Sequence, residues 1–150
     1  RSRGLGDVYK RQTLRDSSLS KSTHCVLACD LGLSEQAYRF YQGACLTDLG
    51  QKMLSSDMGI HSAAMGGIWQ NVVLGFGGVR LVGGKLQISP CLPEGWSRLE
   101  FPLVFRGTPL RVAAERNRVV VENRGTVPVA LRLCGKELEL AAGSRYEVGL

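Results

Sequence analysis

A chain of 150 residues can bury one ordinary hydrophobic core, or hold one small domain together with part of another. Hydrophobic residues make up 44% and charged residues 21% of the sequence, which excludes disordered and fibrous classes. No apolar run reaches about 18 residues, the length of a membrane-spanning helix, and the N-terminus lacks the apolar stretch of a secretory signal. These features predict a cytoplasmic protein without a membrane partner.

Basic residues exceed acidic ones, which gives a net charge of +6 and a pI near 9.3. Part of this excess comes from residues 1–12 (RSRGLGDVYKRQ), which follow neither a helical nor a strand period. The segment is similar to translated adapter read-through in environmental gene fragments, so we predict that it is non-native; the alternative is a native basic arm. The arginines of the second half alternate with apolar residues without an aromatic ladder for stacking bases, which predicts no nucleic-acid partner.

The sequence contains five cysteines, an odd number scattered along the chain. In a chain of this size the pattern predicts reduced thiols rather than a disulfide framework. Cys25 and Cys29 are four residues apart, but no second ligand pair follows at zinc spacing, so we predict small buried side chains and no metal site. A thiol nucleophile at Cys25 would need an orienting partner, and the sequence offers none.

Three helices are predicted in the first half of the chain. The first lies in SSLSKSTHCVLACDLG (17–32) and ends before Gly32, and the second begins with Ser34 as its N-cap. The second helix carries an apolar stripe at helical spacing, formed by Ala37, Phe40, Tyr41, Ala44 and Leu49. The third lies in IHSAAMGGIWQNVVLGFGG (60–78) and is apolar on nearly all sides, which indicates the interior of a larger helical body.

Strands are predicted in the second half. VRLV and KLQIS flank a Gly-Gly hairpin signal, and five more segments follow: LEFPLVF, LRVAAE, RVVVEN, VPVALRL and ELEL. Short strands about 8–12 residues apart predict an antiparallel β-sandwich. Pro102 and Pro128 predict that their strands lie at a sheet edge or begin at the proline. The sequence therefore divides into a helical part, residues 13–82, and a β part, residues 83–150.

The segment GIHSAAMGGIW (59–69) holds the strongest candidate for chemistry. The pair Gly66 and Gly67 costs about 1 kcal/mol per residue in a helix, which predicts that a ligand or another helix approaches the backbone. His61 and Ser62 stand directly before the apolar run, where the N–H groups of a helix N-terminus favour an anion. A second candidate is the hydroxyl-rich segment TLRDSSLS. Two interpretations are open for each segment: it caps a helix, or it binds an oxyanion.

Together these segments resemble glycoside hydrolase family 65. The blocks that carry the resemblance are DSSLS, GIHSAAMGGIW, GFGG and LPEGW, in the family's order and spacing. The similarity runs from about Thr13 to about Val121 and continues beyond only as a β pattern. It implies an α+β chain that consists of the last helices of an (α/α)6 barrel followed by a small antiparallel β-sandwich.

For function, the resemblance implies inverting phosphorolysis of an α-linked glucose disaccharide, which yields β-glucose 1-phosphate. By motif position the phosphate-binding residues are Ser17, Ser18, His61 and Ser62. The family's catalytic Glu belongs to an upstream block that this sequence lacks, so we nominate no general acid and expect the chain to be inactive alone. Arg15 stands where the family often has a histidine, a departure that affects a detail of the pocket.

The implied partners are the disaccharide and inorganic phosphate, which is a co-substrate; no metal or organic cofactor is implied. Homodimerisation of the full-length enzyme stays open. One alternative is a trehalase-like α-glucoside hydrolase of the same family, which the serine and histidine pocket disfavours. The other is a non-catalytic carbohydrate-binding β-sandwich. The sequence argues against this alternative because it offers no exposed aromatic platform for a sugar: Trp69 falls in the apolar helix and Trp96 at the domain junction.

Overall fold

The computed structural model describes residues 19–49 and 59–150. Its helices are α1 (Ser20–Asp30), α2 (Ser34–Cys45) and α3 (Ser62–Gln70), and α3 continues as a π-helical segment, Asn71–Phe76. The strands that follow are β1 (Val79–Val82), β2 (Lys85–Ile88), β3 (Arg98–Phe105), β4 (Thr108–Glu115), β5 (Arg118–Asn123), β6 (Val129–Leu133), β7 (Lys136–Leu140) and β8 (Arg145–Gly149). The described chain is helical first and β-stranded afterwards, as predicted. No described helix has the length and apolar character to cross a membrane.

Helices α1 and α2 form a hairpin that turns at Gly32, whose φ of +71° favours glycine. The end of α1 before this glycine is confirmed. Two predictions for α2 are wrong. Ser34 is the first helical residue, and the N-cap position falls on Leu33. Leu49 lies beyond the end of α2 at Cys45 and is 84% exposed, because the helical period no longer applies there.

The helix predicted over 60–78 is present but changes form after Gln70, where the π-helical segment begins. Asn71 stands at this change and is fully buried. We assign its side-chain amide so that the nitrogen faces two backbone carbonyls, and in this orientation it donates to those of Ser22 (2.8 Å) and Gly67 (3.2 Å). Because a π turn interrupts the regular ladder of helical hydrogen bonds, a side-chain donor at this point satisfies carbonyls of both α3 and α1.

Close packing of α1 on α3 explains one of the two glycines in α3. A Cβ atom on Gly67 would lie 2.5 Å from Oγ and 2.8 Å from Cβ of Ser22, so the two helices approach too closely for a side chain. A Cβ atom on Gly66 would meet no described atom within 4 Å. The prediction of a close backbone approach is therefore confirmed at Gly67, and at Gly66 it stays a prediction.

The strands form two four-stranded sheets, in the orders β1-β2-β6-β7 and β3-β4-β5-β8. Neighbouring strands are antiparallel except β2 and β6, which run parallel with Leu86 opposite Leu131. The expected all-antiparallel sandwich is therefore wrong at this pair. After β2 the chain leaves the first sheet and forms β3 to β5 in the other sheet. It then returns to the first sheet as β6, which runs in the same direction as β2. Strand β8 was not predicted, because Val148 is its one buried residue and leaves no alternating pattern.

Prolines and arginines lie where the strand pattern predicts. Pro102 lies in β3, which is an edge strand of the second sheet, and Pro128 directly precedes β6. Arg111 and Arg118 are partly exposed and pair with glutamates on the same sheet. These arginines form a solvated, charge-paired face, as the surface interpretation of the sequence predicts.

One hydrophobic core joins the helices to both sheets. Cys25 and Phe76 from the helical part are fully buried in it, together with Ile88 of the first sheet and Val112 of the second. All five cysteines are free. The predicted burial is confirmed for Cys25 and its neighbour Cys29, which is 7% exposed, so both thiols serve as packing groups.

Candidate functional site

His61 and Asp48 meet where the turn after α2 faces the start of α3. Nδ1 of His61 lies 2.5 Å from Oδ1 of Asp48, and the backbone N–H of His61 donates to Oδ2 at 3.1 Å. One carboxylate therefore holds both the ring and the backbone of the residue that precedes α3.

The two side chains of this pair differ in exposure. The Asp48 side chain is 9% exposed, whereas the His61 side chain is 38% exposed. The hydrogen bond from the His61 ring lowers the pKa of Asp48 below its ordinary value, so Asp48 is a carboxylate at neutral pH. A carboxylate only accepts hydrogen bonds, hence we assign the ring proton to Nδ1. Nε2 is then the ring nitrogen that is left for a ligand.

The beginning of α3 is suited to an anion. Ser62 is its first residue, and the Ser62 side chain is exposed. The first turn contains no acidic residue that would neutralise the partial positive charge of its backbone N–H groups. His61 occupies the N-cap position but makes no side-chain capping bond, which argues against the capping interpretation of this histidine.

The structure thus brings two of the four predicted phosphate-binding residues, His61 and Ser62, to one helix start. The other two, Ser17 and Ser18, lie outside the described residues, as does Arg15. The segment that carries them leads into α1, which packs against α3.

Asp48 contacts the candidate residue His61, and the sequence interpretation did not single it out. Its partner His61 lies 13 residues further along the chain. One local signal was available. An acid just after a helix C-terminus is unfavourable beside the negative end of the helix dipole, so an acid in that position suggests a partner elsewhere.

The other cavities and side-chain groups of the described residues are weaker candidates for a functional site. A mostly apolar groove of about 640 Å³ lies between α1 and α2, with His24, Leu27 and Phe40 among its walls, and no acid lines it. Within residues 19–49 and 59–150, no three His, Cys, Asp or Glu side chains are grouped as a metal ion requires. Cys25 is fully buried, so a substrate cannot reach its thiol.

The chain matches two models of glycosyl hydrolase family 65. The model of the central catalytic domain matches residues 3–70, and the model of the C-terminal domain matches residues 79–140. His61 and Ser62 fall in the catalytic-domain match. That match begins inside the basic segment 1–12, and the second match begins at the first residue of β1.

Curated relatives and a solved structure extend this likeness. The kojibiose phosphorylase of Halothermothrix orenii is 48% identical over 113 residues, which is 75% of this chain and 14% of the relative. The kojibiose phosphorylase of Escherichia coli is 40% identical over 94% of this chain and 18% of its own length. The alpha,alpha-trehalose phosphorylase of Thermoanaerobacter brockii is 32% identical over 91% of this chain and 18% of its own length.

A solved structure described as a candidate kojibiose phosphorylase from the human microbiome superposes with a TM-score of 0.84 at 28% identity. The match covers 96% of this chain and 21% of that one. The chain therefore spans between 14% and 21% of the length of these relatives.

Proposed function

Because the chain belongs to glycosyl hydrolase family 65, we propose that it is the phosphate-binding and C-terminal part of an inverting α-glucoside phosphorylase. The enzyme cleaves an α-linked glucose disaccharide with inorganic phosphate and releases β-glucose 1-phosphate. Helices α1 to α3 belong to its (α/α)6 barrel, and the two sheets form the C-terminal domain. Relatives named as kojibiose and trehalose phosphorylases support this activity over the trehalase-like hydrolase.

The observation that carries the proposal is the fixed ring of His61 beside Ser62 at the start of α3. The Ser62 hydroxyl and the N–H groups of the first turn supply hydrogen-bond donors for an oxyanion. Nε2 of the His61 ring donates as well when the ring is doubly protonated, because both ring nitrogens then carry a proton. By motif position, Ser17 and Ser18 also belong to this phosphate-binding set. Inorganic phosphate is the co-substrate and nucleophile, and we propose no metal or organic cofactor.

The stereochemistry of the reaction determines which chemical groups it requires. In inverting cleavage a carboxylic acid protonates the leaving oxygen while the nucleophile attacks the opposite face of the sugar carbon. Asp48 does not serve as this acid, because its hydrogen bond to His61 lowers its pKa and leaves it without a proton at neutral pH. A part of the enzyme outside this chain supplies the acid, and the chain alone is inactive.

Product analysis of the full-length polypeptide tests the proposal. The enzyme is incubated with kojibiose, trehalose or maltose, with and without inorganic phosphate, and the products are followed by proton NMR. We expect phosphate-dependent cleavage of one of these sugars, with the glucose 1-phosphate formed as the β anomer. Release of free glucose at the same rate without phosphate would identify a hydrolase and overturn the proposal.

A single substitution tests the site itself. His61→Ala is expected to raise the KM for phosphate by at least about tenfold, the loss typical of a charged hydrogen bond, and to change the KM for the disaccharide much less. An unchanged KM for phosphate would place the anion elsewhere. Calorimetric titration of the isolated chain with glucans tests the alternative that the chain is a carbohydrate-binding module. We expect no binding of glucans.

A further inference from the structure

We propose that Asp48 is a positioning residue for phosphate, because it holds Nδ1 of His61 and thereby aims Nε2 at the anion. This inference rests on the proposed phosphorolysis and extends the site by a residue that does not itself touch the substrate.

The contact is a two-point clamp rather than a single bond. Oδ1 of Asp48 lies 2.5 Å from the ring nitrogen, and Oδ2 accepts the backbone N–H of the same residue at 3.1 Å. The clamp fixes the His61 ring relative to its own backbone. It also ties the turn after α2 to the first residues of α3.

Without this clamp, the ring of His61 has considerable freedom. The final torsion of a histidine side chain has a broad, roughly two-fold energy profile, so the ring can turn and exchange its nitrogen and carbon positions. A carboxylate on Nδ1 selects one orientation of the ring, as the acceptors behind metal-binding histidines do. In that orientation Nε2 donates to an anion when the ring is doubly protonated. The ring is then already ordered before phosphate binds, so binding does not lose the entropy of fixing it.

Asp48 also has a negative charge, which would oppose an anion that approached it directly. Two features prevent this approach. Both carboxylate oxygens already accept hydrogen bonds from His61, and the side chain is 9% exposed. The His61 ring is four times as exposed, so a ligand meets the ring rather than the carboxylate. The arrangement separates the positioning charge from the binding nitrogen.

A purely structural role for Asp48 makes a different prediction. If Asp48 only joined the α2 turn to α3, its loss would disturb the whole site and would affect both substrates equally. If Asp48 acts through the His61 ring, its loss affects phosphate alone, and the effect disappears once the ring is removed. A comparison of two KM values and a double-mutant cycle separate these roles.

The test uses the full-length polypeptide and the variants Asp48→Asn, Asp48→Glu, His61→Ala and Asp48→Asn with His61→Ala. A melting temperature for each variant establishes that it is folded. The KM for phosphate is measured at saturating disaccharide, and the KM for the disaccharide at saturating phosphate. Calorimetric titration with inorganic phosphate gives the Kd of every variant, including those with no turnover.

We expect Asp48→Asn to raise the KM and Kd for phosphate by about tenfold or more, as for a lost bond between charged groups, and the KM for the disaccharide by less than about twofold. Asp48→Glu keeps a carboxylate and should recover part of the phosphate affinity. In the His61→Ala background, Asp48→Asn should change the Kd for phosphate by less than about twofold.

Four results would overturn the inference. Equal increases in both KM values, or the same loss of phosphate affinity with and without the His61 ring, would show that Asp48 only supports the local structure. A wild-type enzyme that needs no phosphate would instead overturn the proposed function and this inference with it. A phosphate-dependent wild type with an unaffected Asp48→Asn variant overturns the inference alone.

Discussion

The rings of Phe76 and Trp96 lie 4.8 Å apart and join the end of the π-helical segment to the connection between β2 and β3. Trp96 also stands edge-on to Tyr41 at 5.6 Å and to Tyr38 at 6.3 Å. Phe76 is fully buried at this junction. The β part therefore supports the C-terminal end of the same continuous helix whose N-terminal end carries His61.

Replacing Trp96 by Ala should destabilise the chain by about 2–4 kcal/mol, because it removes a large ring from an aromatic cluster at the junction. Urea unfolding followed by circular dichroism measures the loss. Trp69→Ala is the matched control, since that indole is 61% exposed and should cost less than about 1 kcal/mol. Equal losses for the two variants would contradict a special role for the junction.

The two adjacent glycines of α3 should respond oppositely to Ala. Gly67→Ala places a Cβ atom 2.5 Å from Oγ of Ser22 and should destabilise the chain by about 1–3 kcal/mol. Gly66→Ala meets no described atom within 4 Å and should stabilise it by about 0.5–1 kcal/mol, because alanine favours a helix. Thermal unfolding of both variants tests this, and the same sign for both would be evidence against the packing of α1 on α3.

How much of the fold the sequence predicts depends on the range of the interactions involved. The end of α1 at Gly32 and the hairpin formed by β1 and β2 follow from local patterns, and both are present. The parallel pairing of β2 with β6 joins segments more than 40 residues apart, and no local period encodes it. The π-helical segment was missed because its apolar residues are equally compatible with an α-helix.

The candidate site shows the same limit. His61 and Ser62 are found from the sequence because they stand directly before an apolar helix, within a recognisable block. Asp48 is found only when the turn after α2 is placed against α3. Its distance from His61 along the chain hides the pair, although the unfavourable position of an acid after a helix is a weak signal.

Arg80 of β1 stabilises the junction between the helical and β parts. Its Nη1 donates to the carbonyls of Leu74 and Val79, and its Nη2 lies 2.5 Å from Oδ1 of Asp30. Arg80→Lys should cost about 1–3 kcal/mol in urea unfolding, because a single ammonium group cannot serve acceptors in these separate directions.

Asp30→Asn separates the two kinds of contact that Arg80 makes. The Asp30 side chain is 48% exposed, and an exposed ion pair contributes little, so this variant should cost less than about 1 kcal/mol. If Asp30→Asn costs as much as Arg80→Lys, the ion pair rather than the carbonyl bonds holds the junction.

Acid should weaken the second sheet through Glu100. Hydrogen bonds from Arg98, at 2.5 Å, and from Arg111, at 2.6 Å, lower the pKa of this carboxyl below its ordinary value. A group whose pKa is lower in the folded state stabilises the fold at pH values above its unfolded pKa. That contribution is lost as the pH falls through the folded pKa. We therefore expect the urea midpoint to fall as the pH is lowered from about 6 to about 3.

The variant Glu100→Gln isolates this contribution from those of other acids. It should have a lower urea midpoint than the wild type at pH 7, and the difference should shrink toward zero at low pH, where the wild-type carboxyl is itself protonated. Glu139→Gln is the control, because Glu139 of β7 is exposed and belongs to none of the ion pairs among residues 19–49 and 59–150. A difference between Glu100→Gln and wild type that stays constant with pH would show that Glu100 acts by packing rather than by charge.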